Sequence, residues 1–501
     1  MKGVITIYTY QDLLTKQTDK ERKDFVLACV NEHRNSKEYK NAKIADDYYR
    51  RQNTTIVNYQ NLLYTLEGKA VPDNYSANYK LCSGFFRIFV TQKVQYLLGN
   101  GVNWQYPTVE VEPNTDGAVQ QTVFDEKSKT YIDKWYLPGT DWLLGKDFDT
   151  QLQKLAKYAR RGGKAYGFWN LDHLDVFKFT EFKELLDENT GALMAGVRFW
   201  QIDDTKPLRA TLYELDGYTE FIWYEKDSNG KVENEGKVLR EKTPYILNIV
   251  STEIGGDEIR DGENYPTFPI VPLWANEFGD SDILGLRENI DCFDLIKSGY
   301  ANTIDEASMI YWTLSNAGGM DDIDLKKFIE HMKVVKAAVV SDDVKAEAHT
   351  IDLPYEAREA ILKRLEKDMY RDNMVFDPTE VIGGASTATQ IKAAYEAPDD
   401  EADDFEYQVI EFISHILNLA GIEDSPTFTR SKIVNTQEEI STLLQAGQYL
   451  PADYITEKVL TILGDIDRVE EVLAMMDEAD ISRLNGGGGE WTTDTENPTE
   501  D

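Results

Sequence analysis

The chain has 501 residues and a formal charge of −36, from 53 Lys plus Arg against 89 Asp plus Glu. Its apolar content of 42% excludes wholesale disorder, and its length allows roughly two to four domains with cores of their own. Such acidity repels a phosphate backbone and argues against tight, groove-tracking DNA binding by counterion release, although not against DNA that passes without sticking.

The charge is lopsided: the first hundred residues carry 15 Lys plus Arg against 10 Asp plus Glu. Cys29, Cys82 and Cys292 lie far apart without a CxxC pair, which argues against a disulfide framework or a zinc site and fits a reducing cytoplasm. The start, MKGVITIYTY, has no apolar signal core, and no run approaches the roughly eighteen apolar residues of a membrane span. A soluble protein with no membrane partner is expected.

In chain order, Asp19 to Asn35, Ser36 to Arg51 and Tyr79 to Leu98 read as helices, the last stopped by Gly99. Another helix spans 147 to 162 and ends at Gly162 and Gly163. From Lys164 the hydrophobic period becomes two. AYGFW, VFKFT, GVRFWQI, ATLYEL, TEFIWYE and TPYILNI are separated by turn signals such as Asp216-Gly217, which predicts one antiparallel meander with its aromatics on one face. Pro269 and Pro272 flank a further apolar strand. Ser281 or Asp282 can then cap a helix to Ser308, with Ile283, Leu286, Ile290, Phe293, Tyr300 and Ile304 on one stripe. At 1.5 Å per residue it would be about 40 Å long.

Residues 309 to 353 read as a small mixed unit: strand MIYWTLS, helix IDLKKFIEHM, then strands KVVKAAVV and KAEAHTIDL. A second long helix, Tyr355 to Met374, follows Pro354. VFDPTEVIGGAS is too rich in Gly, Pro and Asp to continue it. A third helix, Thr387 to Ala420, is expected to bend at Pro398; short helices fill 425 to 482, and the Gly-rich acidic end, 483 to 501, reads as disordered.

Catalytic motifs are missing. Gly162-Gly163-Lys164 lacks the spacing of a phosphate loop and reads as a helix end, and GxSxG, HExxH, GxGxxG and the EF-hand pattern do not occur. His331 and His349, near Asp342 and Asp343, could share a divalent metal, but isolated surface histidines fit better. The runs Asp321, Asp322, Asp324 and Asp399, Asp400, Glu401, Asp403, Asp404 could hold Mg²⁺ for a nuclease, yet a contiguous run shows no convergence on one phosphate and reads as solvated charge. Tyr48, Tyr49, Arg50 and Arg51 could stack bases, or serve as core and surface residues. Two other classes stay open: a metal-dependent hydrolase using clustered carboxylates, and another non-enzymatic capsid or baseplate component.

Taken together and in order, DDYYRRQNTTI, NYKLCSGFFRIFVTQKVQYLLGNGV, GKAYGFW, and FPIVPLWAN followed by DILGLRENIDCFDLIKSGYANTIDE resemble the portal proteins of long-tailed bacteriophages of Gram-positive hosts. The resemblance covers roughly residues 40 to 480 and implies an α+β portal fold. Its parts would be a helical then antiparallel β wing (1 to 279), stem helix 1 (280 to 308), a small α/β clip (309 to 353), stem helix 2 (354 to 375), a tunnel loop (376 to 386), a long wing helix (387 to 424) and a helical crown (425 to 482). It implies a non-enzymatic ring, typically of twelve copies, without a cofactor, in the virion at one capsid vertex after assembly in the host cytoplasm.

Implied partners are further copies of the chain, the large subunit of the packaging terminase, a head-completion adaptor, the major capsid and scaffolding proteins, and double-stranded DNA in transit. The tunnel loop nearest DNA would be Phe376, Asp377, Pro378, Thr379, Glu380, Val381, Ile382, Gly383 and Gly384. Arg287, Lys297, Arg358, Lys363, Arg364, Lys367 and Arg371 would serve the stem and its intersubunit ion pairs. Asp321, Asp322, Lys326, Lys327, Asp342 and Asp343 would be clip contacts.

Overall fold

Threonine and serine punctuate the helical N-terminal region. α1 (Tyr10–Leu14) and α2 (Asp19–Asn35) each begin with a capping box, from Thr9 and Asp12 and from Thr18 and Glu21. Ser36 accepts the Tyr39 N–H to start α3 (Lys37–Tyr49), and Asn53 caps the short α4 (Thr54–Val57). α3 ends with Arg51 left-handed at φ 63° and the Gln52 N–H on the Asp47 carbonyl at 2.8 Å, a Schellman closure. In the computed structural model, the described residues are 7–64, 68–73, 76–113, 115–125, 129–203, 205–224, 236–251, 257–307, 311–315, 345–349, 355–379, 392–432, 436–447, 449–463, 469, 472–473 and 475.

After the hairpin β1 (Leu62–Tyr64) and β2 (Ala70–Pro72) comes α5 (Phe85–Leu98). It starts six residues later than its hydrophobic pattern predicts, because Tyr79 to Ser83 are held extended by side chains of a later helix, described below. The strands β3 (Val102–Trp104), β4 (Val109–Val111), β5 (Val119–Asp125) and β6 (Thr130–Leu137) precede α6 (Thr140–Leu143), and β4, β6 and β5 form a small antiparallel sheet. α7 (Phe148–Gly162) follows as expected, and Gly163 at φ 85° closes it. An added Cβ there would overlap the Gly279 backbone, so only glycine fits.

The expected single meander is divided. β7 (Lys164–Asn170) and β8 (His173–Lys178) form a hairpin, while β9 (Phe182–Leu186), β10 (Leu193–Trp200), β11 (Leu208–Glu214), β12 (Gly217–Trp223) and β13 (Lys237–Thr243) make a separate five-stranded sheet. A 3₁₀ turn at Phe179–Glu181 separates the two. Among the described residues β14 (Ile246–Ser251) pairs only with β15 (Asp257–Glu263), and β16 (Ile270–Trp274) joins β7 as an edge strand. Pro272 is tolerated there because an edge strand leaves one row of its backbone groups outside the ladder.

α8 (Arg287–Ala307) and α9 (Tyr355–Asp372) flank β17 (Tyr311–Ser315) and β18 (Lys345–His349), which pair antiparallel. α8 begins five residues after the expected Asp282, since Gly285 is left-handed at φ 79° and interrupts regular helix. α10 (Glu396–Ala420) starts after a break at Tyr395. Pro398 explains that break, because its ring clashes with the carbonyl four residues back, at Ala394, and it lacks the N–H that would bond there. β19 (Pro426–Phe428) pairs with β3.

Met1–Asp377 with Glu396–Ser431 form one compact unit; Pro378–Tyr395 with Lys432–Asp501 form a second. The second contains α11 (Thr436–Ala446) and α12 (Ala452–Leu463), packed on each other. In the first, α10 lays Phe405, Val409, Phe412, Ile413 and Ile416 over Leu152, Leu155 and Ala159 of α7 and the inner residues of β7 and β16. Each such large apolar side chain contributes roughly 1.5–3 kcal/mol by leaving water. A second core seats Phe25, Val26, Cys29 and Val30 of α2 on the five-stranded sheet.

Candidate functional site

Ile283, Leu286, Ile290 and Phe293 pack with Phe85, Phe86, Phe89 and Val90 of α5 and with Met369 and Val375 at the end of α9. This apolar seam roots the two long helices in the first unit. They run antiparallel: Arg358 near the start of α9 donates to Thr303 Oγ1 near the end of α8 at 3.2 Å, and Tyr355 meets Tyr300 edge-on at 5.9 Å.

A stripe of α8 adjoining this seam, continuing the four-residue row of Leu286 and Ile290, is polar. Asp294, Ser298 and Asn302 recur every fourth residue and accept the backbone N–H groups of Ser83 (2.8 Å), Leu81 (3.0 Å) and Tyr79 (2.7 Å). Four residues of helix rise about 6 Å, and two residues of extended chain about 6.6 Å, so alternate amides match successive helical turns. Asn53 also donates to Asp294 at 2.9 Å. Asp294 is fully buried, and that burial raises its carboxyl above the usual range despite these donors. Three residues earlier, Asp291 accepts from Tyr48 at 2.5 Å and from Thr55 at 2.9 Å. Burial and the Asp291 contact push the Tyr48 hydroxyl up to about 12.

The tyrosine and arginine tandem is therefore structural within the chain. Tyr48 is core; Tyr49 lies beneath the Arg161 guanidinium at 4.5 Å, Arg161 pairs with Asp46 at 2.9 Å, and Arg51 closes α3.

Ahead of α8 the chain is pinned to the C-terminus of α7. Ser281 Oγ donates to the Arg161 carbonyl at 2.6 Å, and the Asp282 N–H to the Arg160 carbonyl at 2.9 Å. Neither residue caps α8 directly, contrary to expectation. Asp282 instead enters a buried ion cluster. Lys93 lies 3.2 Å from both Asp282 and Glu401, and Arg160 Nη1 lies 2.5 Å from Glu401 and 3.6 Å from Asp282. The guanidinium rests on the Phe405 ring at 4.0 Å. Two cations thus meet two carboxylates where α5, α7, α10 and the start of the α8 segment converge. Burial alone would weaken protonation of Arg160, but Glu401 and Asp282 outweigh it and raise its affinity for the proton.

The acidic run is accordingly not plain solvated charge. Glu401 belongs to the buried cluster, Asp399 accepts from Tyr96 at 2.5 Å, and Asp403 pairs with Arg430 at 2.5 Å. Among the described residues, no group of three or more His, Cys, Asp or Glu gathers as metal ligands do.

Most of the expected stem cations pair locally. Lys363 meets Glu359 at 2.7 Å, Arg364 meets Asp368 at 2.9 Å, and Arg371 meets Asp368 and Asp372 at 3.1 and 2.9 Å. Arg287 lies 3.7 Å from Asp291, Lys297 sits over Phe293, Arg358 sits over Tyr300, and Lys367 is also partnered. α9 closes with Met374 left-handed at φ 52° and Val375 N–H on the Tyr370 carbonyl at 3.1 Å.

Phe376, expected on a loop near DNA, is instead buried: its carbonyl accepts Gln92 Nε2 at 3.0 Å and its side chain packs inward. Asp377 ends the first unit, and its charge helps raise the Tyr370 hydroxyl, behind burial. Pro378 and Thr379 open the second unit. Glu380, Val381, Ile382, Gly383 and Gly384 lie outside the described residues, as do Asp321, Asp322, Lys326, Lys327, His331, Asp342 and Asp343. Sequence reasoning missed Lys93, Arg160, Asp291 and Asp294. The four-residue spacing of Asp294, Ser298 and Asn302 was a readable signal; the ion cluster gave none, since its members lie on four separate segments.

Two long antiparallel helices rooted in an α+β body, with a pair of antiparallel strands between them, are those of a phage portal protein. The chain belongs to the family described as "Phage portal protein, SPP1 Gp6-like", which matches residues 30–483. It is 22% identical over 461 residues to the portal protein of Bacillus phage SPP1, covering 87% of this chain and 84% of that one. It is 26% identical over 278 residues to the portal protein of Clostridium phage phiCD119, covering 52% and 60%. Both relatives are of the expected Gram-positive-host type. Solved structures with similarity include the neck of an empty GTA particle, with TM-score 0.40 and 10% identity over 76% of this chain and 90% of the other. The virion of a native gene transfer agent particle gives 0.38 and 11% over 75% and 87%.

Proposed function

We propose that the chain assembles as a closed ring, typically of twelve copies, that forms the DNA conduit at one capsid vertex. Membership of the portal family across nearly the whole chain carries this reading. In it, α8 and α9 are the stem, and the segment from β17 to β18 is the clip that receives the terminase large subunit and later the head-completion adaptor. The body of the first unit is the wing against the capsid and scaffolding proteins, the segment after α9 is the tunnel loop, and the second unit includes the crown.

The ring has no catalytic step of its own, and the translocating energy comes from the terminase. A charge of −36 per copy suits a wall along which DNA slides with little adhesion. Exposed Leu295, Ile304, Tyr355 and Ile361 on α8 and α9 are then available to seal one stem against the next. Electron microscopy of the purified protein tests the reading directly. Rings with an open axial channel are expected, and a homogeneous monomer at every salt and protein concentration would overturn it.

A further inference from the structure

A closed ring needs a heterologous interface, in which two different surfaces on opposite flanks of one chain complement each other. The first unit offers two such surfaces: a groove at one end of β10, and an exposed stripe of α10 that reaches, at Glu411, a cleft at the other end of that eight-residue strand, about 25 Å away. At the Trp200 end lies a groove of about 920 Å³ lined by Arg34, Tyr39, Lys40, Lys43 and Trp200. At the Leu193 end lies a cleft of about 620 Å³, lined on one side by α10 through Glu411.

The groove is basic in effect. Its two carboxylates are already engaged: Asp203 accepts from Thr205 at 2.6 Å, and Glu181 pairs with Lys178 at 3.6 Å. Lys40 and Lys43 are exposed with no carboxylate at ion-pair distance among the described residues, and Trp200 is 39% exposed. On α10, Asp400, Asp404, Tyr407 and Glu411 follow a four-three-four spacing that places them on one exposed stripe. Tyr407 is 71% exposed, and none of the three acids has a cation at ion-pair distance among the described residues. The whole chain repeats this division, with 15 Lys plus Arg against 10 Asp plus Glu in residues 1 to 100 and 38 against 79 beyond.

We infer that the groove between α3 and the Trp200 end of the sheet receives the Asp400–Asp404–Tyr407–Glu411 face of α10 from a second copy of this chain. Lys40 and Lys43 meet the acids there, and Tyr407 lies against Tyr39 and Trp200. The inference rests on the ring proposed above. Nucleic acid is the competing occupant for a basic, aromatic groove, but the acids and the exposed Tyr407 of α10 supply both the charges and the ring that complement Lys40, Lys43 and Trp200 on the chain itself.

The test uses full-length protein at physiological salt, with ring fraction read by analytical ultracentrifugation and electron microscopy, and folding checked by circular dichroism. K40E/K43E and D400K/D404K are each expected to lower the ring fraction about tenfold, and the chain carrying all four changes should recover it. If the wild type forms rings and K40E/K43E forms them equally well, the interface is wrong while the ring reading stands. Failure of the fourfold variant to recover, with both doubles folded, overturns the pairing as well. A short DNA duplex bound by the wild type and released by K40E/K43E would reassign the groove to nucleic acid. A wild type that forms no rings overturns both readings.

Discussion

The Ser83 amide donates to the buried Asp294 carboxylate at 2.8 Å. That bond starts a ladder in which the extended chain before α5 is fixed, amide by amide, to the polar face of α8. A helix that sequence periodicity presents as one apolar stripe is thus held along adjoining stripes by different chemistry: the Phe85 to Phe293 seam, and a row of side-chain acceptors.

Removing the first acceptor should be costly. Asp294→Ala leaves the Ser83 N–H and the Asn53 amide buried without a partner, at a cost of about 1–3 kcal/mol for each group. Urea unfolding should show a loss of at least 2 kcal/mol in total. Asp294→Asn keeps an acceptor oxygen and should lose less.

The buried ion cluster should behave as one element. Glu401→Met leaves Lys93 and Arg160 sharing a single carboxylate, and a destabilisation of about 3–5 kcal/mol is expected. Arg160→Met should cost a similar amount. The double variant should cost clearly less than the sum, because removing both partners strands no lone charge. Additive losses in a double-mutant cycle would show that Glu401 and Arg160 are not coupled.

Stability should fall in mild acid through His33. The imidazole is buried against Tyr39, Phe179 and Phe199, with Nε2 on the Phe179 carbonyl at 2.8 Å, and burial pushes its pKa down to about 4. Above the unfolded value of about 6.5 neither state binds the proton and the contribution is complete. As pH falls toward 4 the unfolded chain takes up the proton first and is favoured, which amounts to about 2 kcal/mol lost by pH 5. Denaturation at pH 7 and pH 5 should show that loss, and His33→Gln should remove this part of the pH dependence.

On the proposed reading, in which the segment after α9 is the tunnel loop, Gly383 and Gly384 would be its hinge. Replacing both with alanine should leave rings intact and impair DNA packaging or retention. Loss of rings instead would make the segment an assembly element.

Much was legible in the sequence because local rules govern it. α2 and α7 match their expected spans, the Gly162-Gly163 stop holds, and the two long helices with a strand unit between them are present, because spacing and caps are properties of neighbouring residues. The division of the meander was not legible, since an alternating pattern shows that a strand has a buried face but not which sheet it joins. Nor was the fate of the acidic run near Pro398. Glu401 differs from Asp400 only in pointing at Arg160 and Lys93, whose positions some 240 and 300 residues earlier were fixed by α7 and α5. By itself the sequence determined the elements, the charge imbalance and the family. Only the tertiary structure decided which charges are buried together, because partners so distant in the chain are chosen by the packing of helices and not by any local pattern.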